Sequence, residues 1–342
     1  SPPERKERGI GLYGCGGIVR GAHLPAYKNC GYRVLAATDL SEDALKEAQA
    51  RFGIPKVSTD PASVLNDPAV EIVDLAVHAK QRRAVIEKIA QAGKHILSQK
   101  PFAMNFREAR EMVALCAQAG VKLMVNQQAR WAPGHRAIKL LLERGVIGHL
   151  YSVLHINRGN QDVAGTWYVN LENFNIVDHG IHFIDLSRCF TNRTPLRVKC
   201  TTTRVPGQAA VSPMIYTICM EYERGAEVMT SLHFNNIVQT TRRTGGALWQ
   251  LDGTEGTLVF DGAELRLALK SDPDTQHTWR IQGSWFPDAF GGSMGEMMRA
   301  LNENREPLTS GKDNLNSIAI AEAAVRSSDE GRAVELKEIL ES

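Results

Sequence analysis

The chain lacks any uninterrupted apolar run near the ~18 residues that a membrane-spanning helix requires, so no span is expected. It also lacks an excess of either charge. Forty Lys and Arg stand against 38 Asp and Glu, which gives no electrostatic basis for nucleic acid or an anionic membrane as the main partner. Its six cysteines, at 15, 30, 116, 189, 200 and 219, form no CxxC pair. That excludes a disulfide scaffold or a zinc ribbon and fits a reducing compartment. There is no internal repeat and no low-complexity tract. The start, Ser1-Pro2-Pro3-Glu4-Arg5-Lys6, reads as a tail (1–8) rather than a signal peptide. A cytoplasmic location is expected, with export before removal of an upstream segment left open. The 43% hydrophobic and 23% charged residues are ordinary for a globular chain, and 342 residues at roughly 150 per domain suggest two domains.

The first part alternates between two periods. Short apolar runs at 10–13, 33–38, 70–77, 96–97 and 121–125 read as strands. Helical spacing fills 42–52, 81–92 and 106–118, the first opened by Ser41 as N-cap and the last two stopped at Gly93 and Gly120. Strands separated by helices of that length predict βαβ units and a doubly wound parallel sheet, an α/β domain over 1–125. From 126 to 342 the texture changes. A helix at 135–144 precedes β-rich stretches at 151–156, 196–205, 215–222, 227–234, 248–251, 257–260 and 264–268. Turns such as Glu223-Arg224-Gly225 and Asp261-Gly262 separate them, one helix at 177–190 interrupts them, and a helix at 318–330 follows. This predicts an α+β domain with a large, mostly antiparallel open sheet.

Gly14-Cys15-Gly16-Gly17-Ile18-Val19 follows the first strand and opens a helix. Glycines permit a tight turn and close approach of backbone to a pyrophosphate, and the helix N-terminus supplies free N–H groups. Val19 occupies the third fingerprint position in place of Gly or Ala. Asp39 lies 23 residues beyond Gly16, at the end of the second strand. A carboxylate there accepts hydrogen bonds from ribose hydroxyls and repels a 2′-phosphate, so the expected cofactor is NAD rather than NADP. The alternative is that Asp39 merely caps the following helix.

Two further segments carry chemistry. In Ser98-Gln99-Lys100-Pro101, Lys100 follows a short strand where open α/β sheets place ligands, and Pro101 holds it out of helical geometry. On this pattern alone a solvated surface lysine is the better reading. In Ile176-Val177-Asp178-His179-Gly180-Ile181-His182-Phe183-Ile184-Asp185, an α-helix would give an apolar stripe of Val177, Ile181 and Ile184. A second stripe of Asp178, His182 and Asp185 lies ~100° from it, suiting a helix that flanks a cleft. Asp178 and His182, at i and i+4, can form an acid–base pair. A structural pair remains an alternative, and so does a metal site through His179-x-x-His182, although no further ligands offer themselves. Amides and aromatics suited to a hydroxylated ring occur at Asn126, Gln127, Gln128, Arg130, Trp131, His155, Asn157, Arg158, Asn160, Gln161, Trp167 and Tyr168, balanced against an ordinary polar loop.

Taken in order, the glycine turn, Asp39, Ala92-Gly93-Lys94-His95 before Lys100-Pro101, and Asp178-x-x-x-His182 resemble the glucose–fructose oxidoreductase/inositol dehydrogenase/MocA family. Arg144-Gly145-Val146-Ile147-Gly148, Gly253-Thr254-Glu255-Gly256-Thr257 and residues 323–332 extend the similarity over nearly the whole chain. The resemblance implies an NAD(P)-dependent dehydrogenase of sugars or polyols, with substrate lying between the nicotinamide and the second domain's sheet. It implies Lys100, Asp178 and His182 as the catalytic residues. Gly14, Gly16, Gly17, Ile18, Asp39, Gln99 and Lys100 are expected at the cofactor, and Arg130, Trp131, Asn157, Arg158, Trp167 and His179 at the substrate. No metal is expected, and a homodimer or homotetramer through the second sheet is. Two positions depart from the family. Gln99 replaces its usual Glu before Lys-Pro, keeping hydrogen bonding but losing a charge, and Val77-His78-Ala79-Lys80 stands where Thr-Pro is common. Relatives that recycle bound NAD to epimerise, eliminate or cleave glycosides, or that serve as NAD-linked sensors, define the alternative functions.

Overall fold

The computed structural model describes residues 7–223, 225 and 227–342. The first six residues of the expected tail, and Arg224 of the expected turn, lie outside them. The chain divides into two compact units, one comprising residues up to Ala132 with Gly283–Leu315, the other Pro133–Gln282 with Asn316–Ser342. The division therefore differs from a single cut at 125/126, because a late segment returns to the first unit. No helix among the described residues is long and apolar enough to cross a membrane.

The first unit is built on six parallel strands: β1 (Gly9–Tyr13), β2 (Val34–Thr38), β3 (Lys56–Ser58), β4 (Val70–Leu75), β5 (His95–Gln99) and β6 (Leu123–Asn126). Their order is β3-β2-β1-β4-β5-β6. That is the doubly wound order, with its reversal between β1 and β4. Helices Glu42–Phe52, Ala79–Gln91 and Phe106–Gln118 make the crossovers. Local chemistry starts them where the sequence suggests: Ser41 Oγ accepts from the Ala44 N–H at 3.2 Å, and Asn105 Oδ1 from the Glu108 N–H at 2.9 Å. The returning segment docks by helix Asp288–Asn302, whose Phe290, Met294, Met297 and Met298 are fully buried with Ile10, Leu12 and Tyr27. It also docks by Thr309, whose hydroxyl donates to the Val125 carbonyl at 2.7 Å.

The second unit carries nine strands: β7 (Leu150–Arg158), β8 (Arg197–Thr203), β9 (Ile215–Glu221), β10 (Met229–Asn235), β11 (Gly246–Gly253), β12 (Gly256–Phe260), β13 (Glu264–Leu269), β14 (Asp272–Arg280) and β15 (Val334–Glu335). Their order is β14-β13-β12-β11-β7-β10-β9-β8-β15, and of the neighbouring pairs only β7 and β10 run parallel. The expected helix at 177–190 divides into a π-helix, Asn175–Gly180, and an α-helix, Ile181–Thr191. The α-helix is buried on nearly every side rather than presenting a polar stripe to a cleft. Asp185 is fully buried, accepting from the Ser317 hydroxyl at 3.0 Å with Arg188 beside it at 3.8 Å. Phe183 of this helix packs on an aromatic row of the sheet. His155 stacks on it at 4.3 Å and meets Trp249 at 4.2 Å, so His155 is a core residue and not part of a polar loop. Burying an apolar ring such as Phe183 contributes on the order of 1.5–3 kcal/mol.

Candidate active site

At the carboxyl end of β1, Gly14 has φ +102° and donates its N–H to the Thr38 carbonyl at 2.8 Å. A Cβ at Gly14 would lie 3.0 Å from the Ala76 backbone, so both conformation and space require glycine here. At Gly16 and Gly17 a Cβ would meet nothing within 4 Å. Nothing in the protein demands glycine at those two places, and the open space there would admit close approach by a phosphate. The helix that follows opens with a π turn, Val19–His23, before the α-helix Leu24–Cys30. Ile18 precedes it, 36% exposed. Asp39 is not the helix cap, which is Ser41: one of its oxygens accepts the Cys15 N–H at 2.6 Å, and the other accepts the Ser41 N–H at 2.8 Å. A carboxylate has about four lone-pair sites, so capacity remains for a ribose diol. These residues fit a dinucleotide. Beneath them lies a buried group absent from the sequence reading, in which Asp74 accepts from the Tyr27 hydroxyl at 2.7 Å and pairs with His23 Nδ1 at 2.7 Å.

The Gln99–Pro101 segment leaves β5 through a cis Lys100-Pro101 bond. Gln99 Oε1 accepts the Lys100 N–H at 2.9 Å, so the amide retains the backbone contact that a Glu could make. Sequence reasoning missed Arg82. This buried residue donates to the carbonyls of Val77 (2.9 Å), Gln99 and Pro101, tying the ends of β4 and β5 together around Lys100. Charge alone gave no signal for it, because buried arginines are rare and Arg82 stands beside Arg83 on a helix rich in charge.

In the second unit the π-helix carries Asp178 and His179, and the next turn carries His182, which is 7% exposed. Asn157 joins His179 through a residue the sequence did not reveal: Asn157 Nδ2 donates to Asn236 Oδ1 at 2.7 Å, and Asn236 Nδ2 lies 3.3 Å from His179 Nδ1. The other expected substrate residues belong to both units. In the first unit Arg130 pairs with Asp313 at 3.1 Å, and Trp131 packs against Gly292, where a Cβ would come within 2.7 Å of it. In the second, Arg158 donates to the Thr244 carbonyl at 3.0 Å. Trp167 is 59% exposed and sets its edge against Tyr168 and Phe174, which stack on each other at 4.2 Å.

Removing Arg82 tests the link between β4 and β5. Charged donors to buried carbonyls contribute roughly 1.5–3 kcal/mol each before cooperative losses. Arg82→Met is expected to lower stability by about 2–4 kcal/mol in urea unfolding. A loss within ~0.5 kcal/mol, the ordinary range for a surface substitution, would show that the three contacts carry little.

Comparison with known proteins adds independent findings. Residues 8–127 match the oxidoreductase family with an NAD-binding Rossmann fold, and residues 135–259 match the GFO/IDH/MocA C-terminal domain. A D-apiose dehydrogenase of Paraburkholderia graminis is 33% identical over 96% of this chain and 89% of its own. A second D-apiose dehydrogenase, from Rhizobium rhizogenes, is 28% identical over 96% of this chain and 97% of its own. Among solved structures, an oxidoreductase from Agrobacterium radiobacter in complex with NAD+, L-tartaric acid and magnesium superposes with a TM-score of 0.86 at 26% identity, covering 97% of this chain and 99% of that one. The chain belongs to the Gfo/Idh/MocA family of oxidoreductases, and its first unit contains that family's NAD-binding Rossmann fold.

Proposed function

We propose that the chain transfers a hydride between NAD and a hydroxyl-bearing carbon of a sugar, sugar derivative or cyclitol. The observation that carries this reading is the set of residues gathered at the carboxyl ends of the parallel strands: an open glycine turn, the Asp39 carboxylate, and Lys100 on a segment braced by Arg82. The two D-apiose dehydrogenases support the sugar class, and the exposed Trp167 supplies an aromatic face of the kind that stacks on sugar C–H surfaces. When bound, the nicotinamide supplies the hydride acceptor. The chain supplies position and proton transfer. His182 takes the hydroxyl proton, Asp178 orients its imidazole or shares the proton, and Lys100 stabilises the developing alkoxide. Gln99 and Asp39 hold the cofactor, and Arg130, Trp131, Asn157, Arg158, Trp167 and His179 are proposed to shape the substrate site.

Lys100→Met is expected to fold and to lose ~100-fold or more in turnover on a substrate found from a sugar and cyclitol panel. His182→Asn is expected to lose single-turnover hydride transfer as well. Wild-type turnover in either variant would overturn its catalytic role. Product analysis beside absorbance of the reduced nicotinamide separates net oxidation from recycling of bound NAD.

The Asp39 carboxylate should also set cofactor choice. Repulsion of a 2′-phosphate by ~2–3 kcal/mol gives about a 30- to 150-fold preference for NAD over NADP. Titration of both at one salt concentration reads it, and equal affinity would overturn this role for Asp39.

The outer face of the nine-stranded sheet is proposed as the homo-oligomer contact. It carries half-buried Leu154, Ile156, Leu248 and Val259, opposite the buried row of Val153, His155 and Trp249. Sedimentation equilibrium should show a dimer or tetramer that Ile156→Lys weakens; a monomeric wild type would remove the proposal.

A further inference from the structure

The three asparagines beside the π-helix form a hydrogen-bond chain whose direction is set at one end. Asn175 Nδ2 donates to the Pro213 carbonyl at 3.0 Å. A carbonyl only accepts, so the Asn175 amide has one orientation, with Oδ1 turned toward Asn236. Asn236 must meet that oxygen with its nitrogen, and does so at 2.7 Å. Its own oxygen is then left to accept from Asn157 Nδ2 at 2.7 Å. The second hydrogen on Asn236 Nδ2 faces His179 Nδ1 at 3.3 Å. Asn175 and Asn236 are both fully buried, so reversing either amide would set donor against donor or acceptor against acceptor without water to compensate.

The frame around this chain is equally constrained. The Asn175 N–H donates to the Ser212 hydroxyl oxygen at 3.1 Å, and its carbonyl accepts from the Tyr216 hydroxyl at 2.9 Å. Tyr216 comes so close that a Cβ on Gly180 would lie 2.7 Å from its oxygen. His179 itself packs against Phe183 and Phe234, at 5.3 and 5.7 Å between ring centres.

A nitrogen that accepts a hydrogen bond carries no proton. We infer that Asn236 fixes His179 as the neutral tautomer with its proton on Nε2, making the ring a hydrogen-bond donor to a hydroxyl or carbonyl oxygen of the substrate, not a base. The Nδ1 lone pair is engaged and Nε2 has none to offer, so His179 takes up a proton only if Asn236 gives way. The two neighbouring histidines would thereby differ in kind: His179 donates and orients, while the proton acceptor proposed above is His182. The donor role rests on the sugar or cyclitol reading above; the tautomer does not.

Nitrogen NMR of the histidine-labelled full chain at mildly alkaline pH tests the tautomer directly, with His179 assigned by the signal lost in His179→Gln. Nδ1 is expected as the unprotonated nitrogen and Nε2 as the protonated one. A protonated Nδ1 in the wild type overturns the inference whether or not any variant folds. In Asn236→Asp a carboxylate would accept from Nδ1, so the proton is expected to appear there; an unchanged Nδ1 in that variant, once folded, would remove Asn236 from the role. The donor function is read separately. His179→Leu should raise KM for an identified substrate by ~10- to 100-fold, with NAD affinity near wild type, and His179→Gln, which keeps a donor, should recover part of it. An unchanged KM in His179→Leu refutes the donor while leaving sugar oxidation standing. Failure to find any sugar or cyclitol substrate refutes the functional reading while the nitrogen signals still decide the tautomer.

Discussion

A parallel sheet whose strands all end at one edge leaves a row of backbone N–H and C=O groups there, and each buried one requires a partner. Much of the first unit's chemistry follows from how those groups are satisfied. Asp39 takes two amides, of Cys15 and Ser41, and so holds the glycine turn against the end of β2. Arg82 takes three carbonyls, of Val77, Gln99 and Pro101, and so holds the end of β4 to the segment bearing Lys100. The Gln99 side chain takes the Lys100 amide. An anion and a cation thus brace the two sides of the edge where the strand order reverses, and a dinucleotide there meets a surface already organised before it arrives.

This arrangement explains why Gln99 can replace a glutamate without disturbing the backbone. The contact made by the side chain is to a neutral N–H, and an amide oxygen satisfies it as a carboxylate does. What the substitution changes is the charge beside Lys100, an electrostatic matter rather than a structural one.

How far the fold could be read in the sequence depended on whether local preference and burial agreed. The crossover helices have caps at Ser41 and Asn105 and apolar faces of the right period, so their existence was legible. Helix Asp288–Asn302 was not. Its glycines lower helix propensity, yet Gly291 and Gly292 are the places where Cys30 and Trp131 come within 2.5 and 2.7 Å of a would-be Cβ. Tertiary packing overrides propensity there, and with it the expected single domain cut. β14 was missed for the opposite reason: all nine of its residues are exposed, so no alternation marks it. Around the ends of the parallel strands, the glycine turn and Asp39 stood out in the sequence by their spacing, and Lys100 only through the family resemblance. Arg82, Asp74 and Asn236 act through burial, which composition does not display.

The π turn shows the same limit at finer scale. Counting Asp178 and His182 as i and i+4 assumes α geometry throughout, and an i→i+5 turn inserts one residue into that count. Asp178 stands in the π turn and His182 in the first turn of the α-helix, so the pair spans the junction between the two. The extra residue has a definite beneficiary. It carries the Asn175 carbonyl to the Tyr216 hydroxyl, which is possible only because position 180 has no side chain, and it leaves the Asn175 amide facing Asn236 and, through it, His179. A regular helix would have satisfied its own backbone and presented one histidine in the usual periodicity. The wider turn gives up that regularity, and the hydrogen bonds released are spent on fixing how a second histidine is held.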